Sequence, residues 1–357
     1  MTTVTVALTD HAYPVMMEQG LRHRCGAVIA ERIAPCKMAV ITDENVAPLY
    51  LADVTASLEQ AGFSVLPIVV APGEGSKSFT TLATVVETMA ATKFTRTDCA
   101  LALGGGVIGD LTGFAAGCYL RGISFVQMPT TLLAAVDASV GGKTAVNLDA
   151  GKNLAGLFHQ PQMVLCDPQC LATLNQHCIA DGAAEAIKTG ILGDSELFAI
   201  YESGDPSTSY EEIIARCVAY KAKIVAEDPT EHSVRKLLNL GHTIGHAVER
   251  ASDFGISHGH AVAIGMAYVA RAAAKRGMLS HKDAQRILHT LQRNALPVET
   301  AFDLQTLDTL TKVDKKAAGS SITVILPERI GSCRMEKLSS DDMGALILDG
   351  VQEGASA

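Results

Sequence analysis

Short apolar segments alternate with longer helical segments through the first half of the chain. The apolar segments are four to eight residues long and end in glycine, proline or polar residues, as buried strands do. They lie within "MTTVTVAL" (1–8), "MAVITDENVAPLY" (38–50), "FSVLPIVVAPGEGSKS" (63–78), "DCALALGGGVIGD" (98–110) and "ISFVQMPTT" (123–131). A helix is predicted at 78–92 and another after the glycines of 104–109. Because alternating strands and helices form parallel sheets with both faces covered, we predict an α/β domain with a parallel-type sheet.

The pattern changes near residue 175, where a 3.6-residue period dominates. Helices are predicted at 181–202, 210–227, 233–251, 258–277 and 281–294. One late strand is predicted within "SSITVILPERIG" (320–331). The chain is therefore predicted to have two domains, an α/β domain at 1–174 and an all-α domain at 175–357.

The composition is that of a protein with a large core and an acidic surface. Of the 357 residues, 48% are hydrophobic, and the net charge is −9, from 29 Lys and Arg against 38 Asp and Glu. This charge argues against nucleic acid or an anionic membrane as the partner. No apolar run reaches the roughly 20 residues that a bilayer requires. The nine cysteines form no CxxC pair, so we expect free thiols in a cytoplasmic protein.

Two glycine-rich loops follow predicted strands. Gly104, Gly106 and Gly109 match G-x-G-x-x-G between a strand and a helix, where glycine lets a pyrophosphate approach the helix N-terminus. The acidic residue that a Rossmann fingerprint has about 20 positions later is absent, so the motif is a tight packing turn or a nucleotide loop of another lineage. In "PGEGSKS" (72–78), Glu74 could bind ribose hydroxyls and Lys77 could bind phosphate. Together the two loops favour a dinucleotide.

Charged residues stand among glycines in "VDASVGGKTAVNLDAGKNLAGLFHQP" (136–161). Lysines on a solvated helix usually have acidic neighbours four residues away, whereas Lys143 and Lys152 stand beside glycines, with Asp137 and Asn153 nearby. This setting favours a phosphate or carboxylate pocket over a solvated loop.

Three segments of the second half contain potential metal ligands. His242 and His246 lie on one face of a predicted helix, and His258 and His260 begin the next. Thr243 follows His242, which excludes the H-E-x-x-H motif of metalloproteases. With Glu185, these histidines offer the two imidazoles and one carboxylate of a catalytic zinc site with an open position. Glu185 and Lys188, three residues apart, could instead form a structural ion pair.

The blocks that carry these residues resemble the signature blocks of the 3-dehydroquinate synthases, which belong to the sugar phosphate cyclases. The resemblance spans about 40–335, and its blocks are "GGGVIGDLTGFAAGCYLRG", "MPTTLLAAVDASVGGKTAVN", "GKNLAGLFHQP", "GAAEAIKTGI", "LLNLGHTIGHAVE", "SHGHAVAIGM" and "VDKK". It implies a dehydroquinate synthase-like fold whose first domain binds NAD and whose second binds metal and substrate. It also implies a cytoplasmic homodimer in the shikimate pathway.

The resemblance implies that 3-deoxy-D-arabino-heptulosonate 7-phosphate is converted to 3-dehydroquinate and phosphate. The family's reaction uses NAD+ transiently, with a divalent ion, commonly Zn2+ or Co2+. It proceeds through oxidation, β-elimination of phosphate, re-reduction and intramolecular aldol closure. Two other enzymes remain as alternatives: a metal-dependent polyol or glycerol dehydrogenase, and a sister cyclase that acts on another sugar phosphate.

The resemblance also assigns individual residues. The metal ligands would be Glu185, His242 and His258. Residues for substrate and catalysis would be Lys143, Lys188, Asp137, His246, Lys221, Arg235, Asn239, Asn153, Lys315 or Lys316 and, reaching across a dimer interface, Arg121. Cofactor contacts would be Asp43, Asn45, Gly73, Glu74, Lys77, Gly104, Gly105, Gly106, Val107, Ile108, Gly109, Asp110, Thr130, Thr131, Lys143, Lys152, Thr173 and Leu174. The chain departs from many members of the family at His260, where they have glutamate.

Overall fold

The computed structural model of the protein describes residues 1–8, 11–313 and 321–351. The chain divides into two compact units. The first comprises 1–174 and 221–226, and the second comprises 175–220 and 227–357. None of the helices in the described parts of the chain combines the length and the apolarity needed to cross a bilayer.

The first unit is built on a seven-stranded sheet in the order β1-β2-β9-β6-β5-β3-β4. Its strands are β1 (Thr2–Ala7), β2 (Ala12–Met17), β3 (Lys37–Asp43), β4 (Ser64–Val70), β5 (Cys99–Gly104), β6 (Ser124–Pro129) and β9 (Met163–Cys166). Only the edge pair β1–β2 is antiparallel, and every other pair of neighbours is parallel. The predicted parallel-type sheet is therefore confirmed. Strands β2 and β9 were not predicted, because each is a short apolar segment without a helix directly before it.

Helices cover both faces of this sheet. They are α1 (Cys25–Ala30), α2 (Ala52–Gln60), α3 (Phe79–Ala91) and α4 (Gly106–Cys118). Alternate residues of the fully buried strand β5 enter different cores: Leu101 packs in the core that contains Val54 of α2, and Ala102 in the core that contains Leu111 of α4. This is why the strand sequence is continuously apolar rather than alternating. A hairpin of β7 (Lys143–Leu148) and β8 (Gly151–Phe158) packs on α4.

The second unit is helical, as predicted, with one small hairpin. Its elements are α5 (Gln176–Gly193), α6 (Ser195–Ser203), α7 (Tyr210–Glu227, whose residues 221–226 group with the first unit), α8 (His242–Ala251), α9 (His258–Lys275), α10 (His281–Arg293), α11 (Leu304–Val313), β10 (Ile322–Arg329), β11 (Ser332–Leu338) and α12 (Ser340–Gly350). The predicted late strand is β10, and its partner β11 was not predicted. The single helix predicted at 181–202 ends at Gly193, because the Asp194 carboxylate accepts the N–H of Leu197 and starts α6.

Helix α9 is the centre of the second unit and packs against α5, α8, α10 and α12. Its contact with α8 depends on glycine. A Cβ on Gly265 would lie 1.9 Å from the carbonyl oxygen of Gly241, and one on Gly245 would lie 3.0 Å from that of Ala261. Gly241 itself has a φ of 78°, which favours glycine. These close contacts hold the first residues of α8 and α9, His242 and His258, in one region.

We predict that Gly265→Ala destabilises the protein, because the added methyl group cannot fit unless α8 moves away from α9. The expected loss in the free energy of unfolding is roughly 1–3 kcal/mol, measured by denaturant titration. Gly75→Ala is the control, since a Cβ on Gly75 meets no atom within 4 Å. Equal stability of the two variants would contradict the proposed role of this packing.

Candidate active site

Three side chains from three helices of the second unit converge at one point. Glu185 of α5, His242 of α8 and His258 of α9 each offer a ligand atom, and these atoms all lie within 4.8 Å of one another. Glu185 Oε1 is 3.7 Å from Nε2 of His242 and 3.5 Å from Nε2 of His258. Glu185 is only 1% exposed, so this carboxylate has almost no access to solvent.

Both imidazoles direct Nε2 toward Glu185 because Nδ1 is engaged elsewhere. Nδ1 of His242 lies 3.1 Å from the carbonyl oxygen of Leu240, and Nδ1 of His258 lies 3.4 Å from Oε2 of Glu249. Carbonyl and carboxylate oxygens only accept, so Nδ1 carries a proton in each ring. Metal-binding histidines are held by the same kind of contact at the nitrogen that does not bind the ion.

Charges in this cluster are strongly coupled. Burial alone would raise the pKa of Glu185, but Lys188 and His258 outweigh burial and hold that pKa well below its usual range. Burial and the nearby Lys188 lower the pKa of His242, so its ring is neutral. Burial opposes the charged form of His258 as well, yet Glu185 and Glu249 raise its pKa to about 10. A metal ion bound here would therefore displace a proton from His258.

The cluster fits a divalent metal. A tetrahedral zinc site with bonds of about 2.0–2.2 Å holds its ligand atoms roughly 3.3–3.6 Å apart, close to the separations from Glu185 to the two imidazoles. Oε1 of Glu185 has no hydrogen-bond partner among the described residues. The ion pair that the sequence left as an alternative is also present, since Lys188 Nζ contacts Glu185 Oε2. Oε1 faces the imidazoles, so the two roles do not exclude each other.

His246 lies beside this cluster. Its ring centroid is 5.4 Å from that of His242 and 6.1 Å from that of His258. Together with Glu249 and His258 it forms a second group of potential ligand atoms within 4.8 Å. Since Glu249 already engages Nδ1 of His258, this group supports the ring of His258 rather than offering a separate open site.

His260 belongs to a different cluster. His177, Asp181 and His260 also offer three ligand atoms within 4.8 Å. However, the two imidazole rings stack with centroids 4.1 Å apart and an interplanar angle of 24°, so their planes do not meet at one metal position. Asp181 Oδ1 already accepts the hydroxyl of Ser257, the N–H of His260 and a proton of its ring. We interpret this cluster as a hydrogen-bonded support for the start of α9.

A carboxylate-centred loop presents Arg235. Asp228 accepts the main-chain N–H groups of His232 at 2.9 Å, Ser233 at 2.6 Å and Arg235 at 3.1 Å. Burial disfavours ionised Asp228, but the three N–H groups outweigh burial and hold its pKa well below the usual range. The guanidinium of Arg235, a residue that is 2% exposed, donates from Nη1 to the carbonyl of Pro229 at 2.6 Å. The loop therefore fixes both the main chain and the side chain of Arg235.

Asn239 is held by the same loop, because its Nδ2 donates to Oε1 of Glu231 at 2.9 Å. Asn239 ends a short 3-10 helix, Val234–Asn239, that begins next to Arg235. Two side chains that sequence analysis assigned to substrate binding are thus anchored by two acids, Asp228 and Glu231, that it did not name.

In the first unit, the predicted cofactor residues gather at the carboxyl ends of neighbouring parallel strands. Those on or directly after the strands β3, β5 and β6 are Asp43, Asn45, Gly104, Gly105, Gly106, Thr130 and Thr131. Gly73, Glu74 and Lys77 follow β4, and Thr173 and Leu174 follow β9. Ligands of open α/β sheets bind at this edge.

Packing accounts for two of the three glycines in the motif. A Cβ on Gly104 would lie 2.7 Å from Ile108, and one on Gly109 would lie 2.7 Å from the side-chain oxygen of Gln127. At Gly106, the first residue of α4, the nearest atom would be Ala138 Cβ at an ordinary 3.5 Å. Part of the motif is therefore a tight packing turn, while packing does not require glycine at position 106.

The predicted anion-binding residues of this unit differ in accessibility. Lys143 is exposed and Lys152 is half-buried. Lys77 is 5% exposed, and its ammonium group contacts Asp110 and Asn153. In this structure Lys77 therefore links helix α4, which holds Asp110, to strand β8, which holds Asn153, rather than facing solvent.

Lys221 holds Asp137, since its Nζ donates to the carboxylate at 2.8 Å and to the main-chain carbonyl at 2.7 Å. Arg121 is exposed and lies in a strained turn, in which Leu120, Arg121 and Gly122 have φ values of 50°, 68° and 117°. The two lysines of "VDKK", Lys315 and Lys316, lie outside the described residues.

The sequence contains local signals for two acids that sequence analysis did not name, Asp228 and Glu249. Asp228 precedes Pro229 in "EDPTEHS", and Asp-Pro is a turn signal. Glu249 is seven residues after His242 on a predicted helix, which places both on one face. Neither signal says which atoms the carboxylate contacts, so the role of each acid became visible only in three dimensions.

Comparisons of the sequence with protein families and with curated proteins both find similarity to 3-dehydroquinate synthases. The family model for the N-terminal part of 3-dehydroquinate synthase matches 67–181, and that for the C-terminal part matches 182–317. A 3-dehydroquinate synthase of Brucella ovis is 42% identical over 365 residues, covering 98% of this chain and 96% of that protein.

Solved structures extend the comparison. The 2-epi-5-epi-valiolone synthase of Streptomyces hygroscopicus, solved with NAD+ and Zn2+ bound, is 28% identical, with a TM-score of 0.86 over 96% of this chain and 98% of that one. An iron-containing alcohol dehydrogenase shares the fold at 15% identity, with a TM-score of 0.68 over 95% of this chain and 97% of that one.

We predict that His242→Ala loses metal, because only two of the three converging ligands remain. Zinc affinity should fall more than about 100-fold, the upper range for losing a supporting residue alone, as measured by competition with a chelator. His289→Ala, which removes an exposed histidine of α10, should bind zinc as the wild type does. Undiminished zinc binding by His242→Ala would show that the ion is held elsewhere.

Asp228 should contribute to stability in a pH-dependent way. Its folded-state pKa lies below the unfolded value of about 4, so its contribution is complete above that value and is lost as the pH falls through the folded pKa. Compared with wild type, Asp228→Asn should lower the free energy of unfolding by roughly 1–3 kcal/mol at pH 6. This difference should shrink between about pH 4 and pH 2. A difference that is independent of pH, or the same effect from Asp149→Asn in an exposed turn, would contradict this role.

Proposed function

The chain belongs to the 3-dehydroquinate synthase family, and on that premise we propose that it converts 3-deoxy-D-arabino-heptulosonate 7-phosphate to 3-dehydroquinate and phosphate. This makes it a phosphate-eliminating carbon–oxygen lyase. The observation that carries the proposal is the buried cluster in which two imidazoles direct Nε2 toward one carboxylate. The 42% identity over 98% of the chain supports this substrate over that of the less similar valiolone synthase.

The cofactors that we propose are NAD+ and one Zn2+ or Co2+. Glu185, His242 and His258 would hold the metal, and the first unit, with the domain boundary at residue 174, would bind NAD+. When bound, the nicotinamide accepts and returns a hydride, and the metal acts as a Lewis acid on a substrate oxygen. The NAD+ and Zn2+ bound to the valiolone synthase support the choice of these two cofactors.

The protein's own side chains would bind and orient an anion with a carboxylate and a phosphate. Arg235 suits the carboxylate, since a guanidinium presents two parallel donors, and the loop around Asp228 holds it in one orientation. Lys143 and Lys152 suit phosphate as point charges. We assign Lys188, Asn153, Asn239, Arg121 and Lys315 to the same substrate.

Proton transfer needs groups whose charge the protein fixes. Lys221 holds the Asp137 carboxylate in place, and that carboxylate would accept hydrogen bonds from the substrate hydroxyls near the reacting carbon. His246 would donate a proton toward the leaving phosphate. We further propose a cytoplasmic homodimer in which Arg121 reaches the site of the partner subunit, a role that suits an exposed side chain in a fixed turn.

A direct assay tests the function. The protein with substrate, excess Zn2+ and NAD+ well below the substrate concentration should release phosphate over many turnovers without accumulating NADH. A chelator should abolish the release. Stoichiometric NADH would favour a polyol dehydrogenase instead, and turnover of a sugar phosphate without a carboxylate, such as glucose 6-phosphate, would favour a sister cyclase.

A further inference from the structure

The β7–β8 hairpin has an irregular strand pairing at residues that we assign to cofactor and substrate binding. Val146 pairs with Ala155 and Leu148 pairs with Gly151. The single residue Asn147 therefore faces three residues, 152–154, on the opposite strand. Such bulges redirect side chains and are common next to active sites. Two of the three bulged residues are Lys152 and Asn153.

Asn147 replaces the contacts that the strand ladder loses at this point. Its side-chain Oδ1 accepts the main-chain N–H of Asn153 at 2.9 Å. Its own N–H leaves the ladder and donates to the main-chain carbonyl of Lys77 at 2.8 Å. Asn153 has a φ of 59°, in the left-handed region that asparagine adopts more readily than most residues with a side chain but that still benefits from local restraints. The acceptor on Asn147 is one such restraint.

The same amide reaches the first glycine-rich loop. Asn147 Nδ2 donates to Oε1 of Glu74 at 2.8 Å. Lys77, from the same loop, contacts the side-chain oxygen of Asn153. Asn147 thus links Glu74, which is assigned to the cofactor ribose, to the bulge at 152–154. In that bulge, Lys152 is assigned to the cofactor and Asn153 to the substrate.

We propose that Asn147 is a positioning residue that sets Glu74 and the 152–154 bulge in the geometry required to bind NAD+ and the sugar phosphate. This proposal rests on the proposed function. The role needs one donor and one acceptor on a short side chain. Alanine supplies neither. Aspartate keeps the acceptor for Asn153 but places a carboxylate against Glu74.

The test compares Asn147→Ala and Asn147→Asp with wild type. Amide hydrogen exchange of 143–158, without cofactor, should speed up in Asn147→Ala and stay close to wild type in Asn147→Asp, which retains the acceptor. NAD+ affinity, measured by calorimetry on the metal-loaded protein, should fall roughly 10-fold in both variants, because each loses the hydrogen bond to the Glu74 carboxylate. The KM for the sugar phosphate should rise in Asn147→Ala more than in Asn147→Asp.

Asn294→Ala is the matched control. Asn294 also makes two side-chain contacts, to the carbonyls of Tyr201 and Thr290, but in the second unit. It should leave exchange in 143–158 and NAD+ affinity unchanged. Wild-type exchange and wild-type NAD+ affinity in Asn147→Ala would overturn the proposal while leaving the function intact. If the wild type releases no phosphate, the proposed function fails, and faster exchange confined to 143–158 in Asn147→Ala would still support the structural part of the proposal.

Discussion

The charge of Glu185 is the constraint on which the second unit depends. An ionised carboxylate that is almost fully buried is costly unless cations or a metal compensate it. The compensating cations are Lys188 on the same helix and His258 from α9, and the neutral ring of His242 from α8 faces the same carboxylate. The close packing of α9 serves this arrangement. A Cβ on Gly259 would lie 2.2 Å from the carbonyl oxygen of Asp181 on α5, so glycine allows the start of α9 to approach the helix that carries Glu185.

In the first unit, the equivalent constraint is the common edge of the parallel strands. Because β3, β4, β5 and β6 are parallel neighbours, their carboxyl ends bring loops from distant parts of the chain together. The β7–β8 hairpin adds charged residues to that unit without belonging to the sheet. The Lys77 ammonium contacts both Asp110 and Asn153. This contact and the bulge of the hairpin join the 72–78 loop, α4 and the hairpin into one hydrogen-bonded network. Such a network fixes side chains more tightly than separate loops could.

The sequence predicted those features whose signal lies within one segment of the chain. It missed those that depend on contacts between distant segments. Strands β3 to β6 were predicted because each is an apolar segment bounded by turn residues. The β7–β8 hairpin was not, since its glycines and charges are typical of a loop and its pairing depends on packing against α4. Residue spacing offered four histidines as partners for Glu185. It could not separate His242 and His258, whose Nε2 atoms face Glu185, from His260, which stacks on His177. That distinction depends on helix packing between segments more than 50 residues apart in sequence.

The most direct test of the account is X-ray absorption at the zinc edge of the protein loaded with one equivalent of Zn2+. The account predicts a shell of nitrogen and oxygen ligands with two imidazoles and no sulfur, and a changed spectrum in Glu185→Gln. A shell that contains cysteine sulfur, or a Glu185→Gln protein whose spectrum and zinc affinity equal those of the wild type, would contradict it.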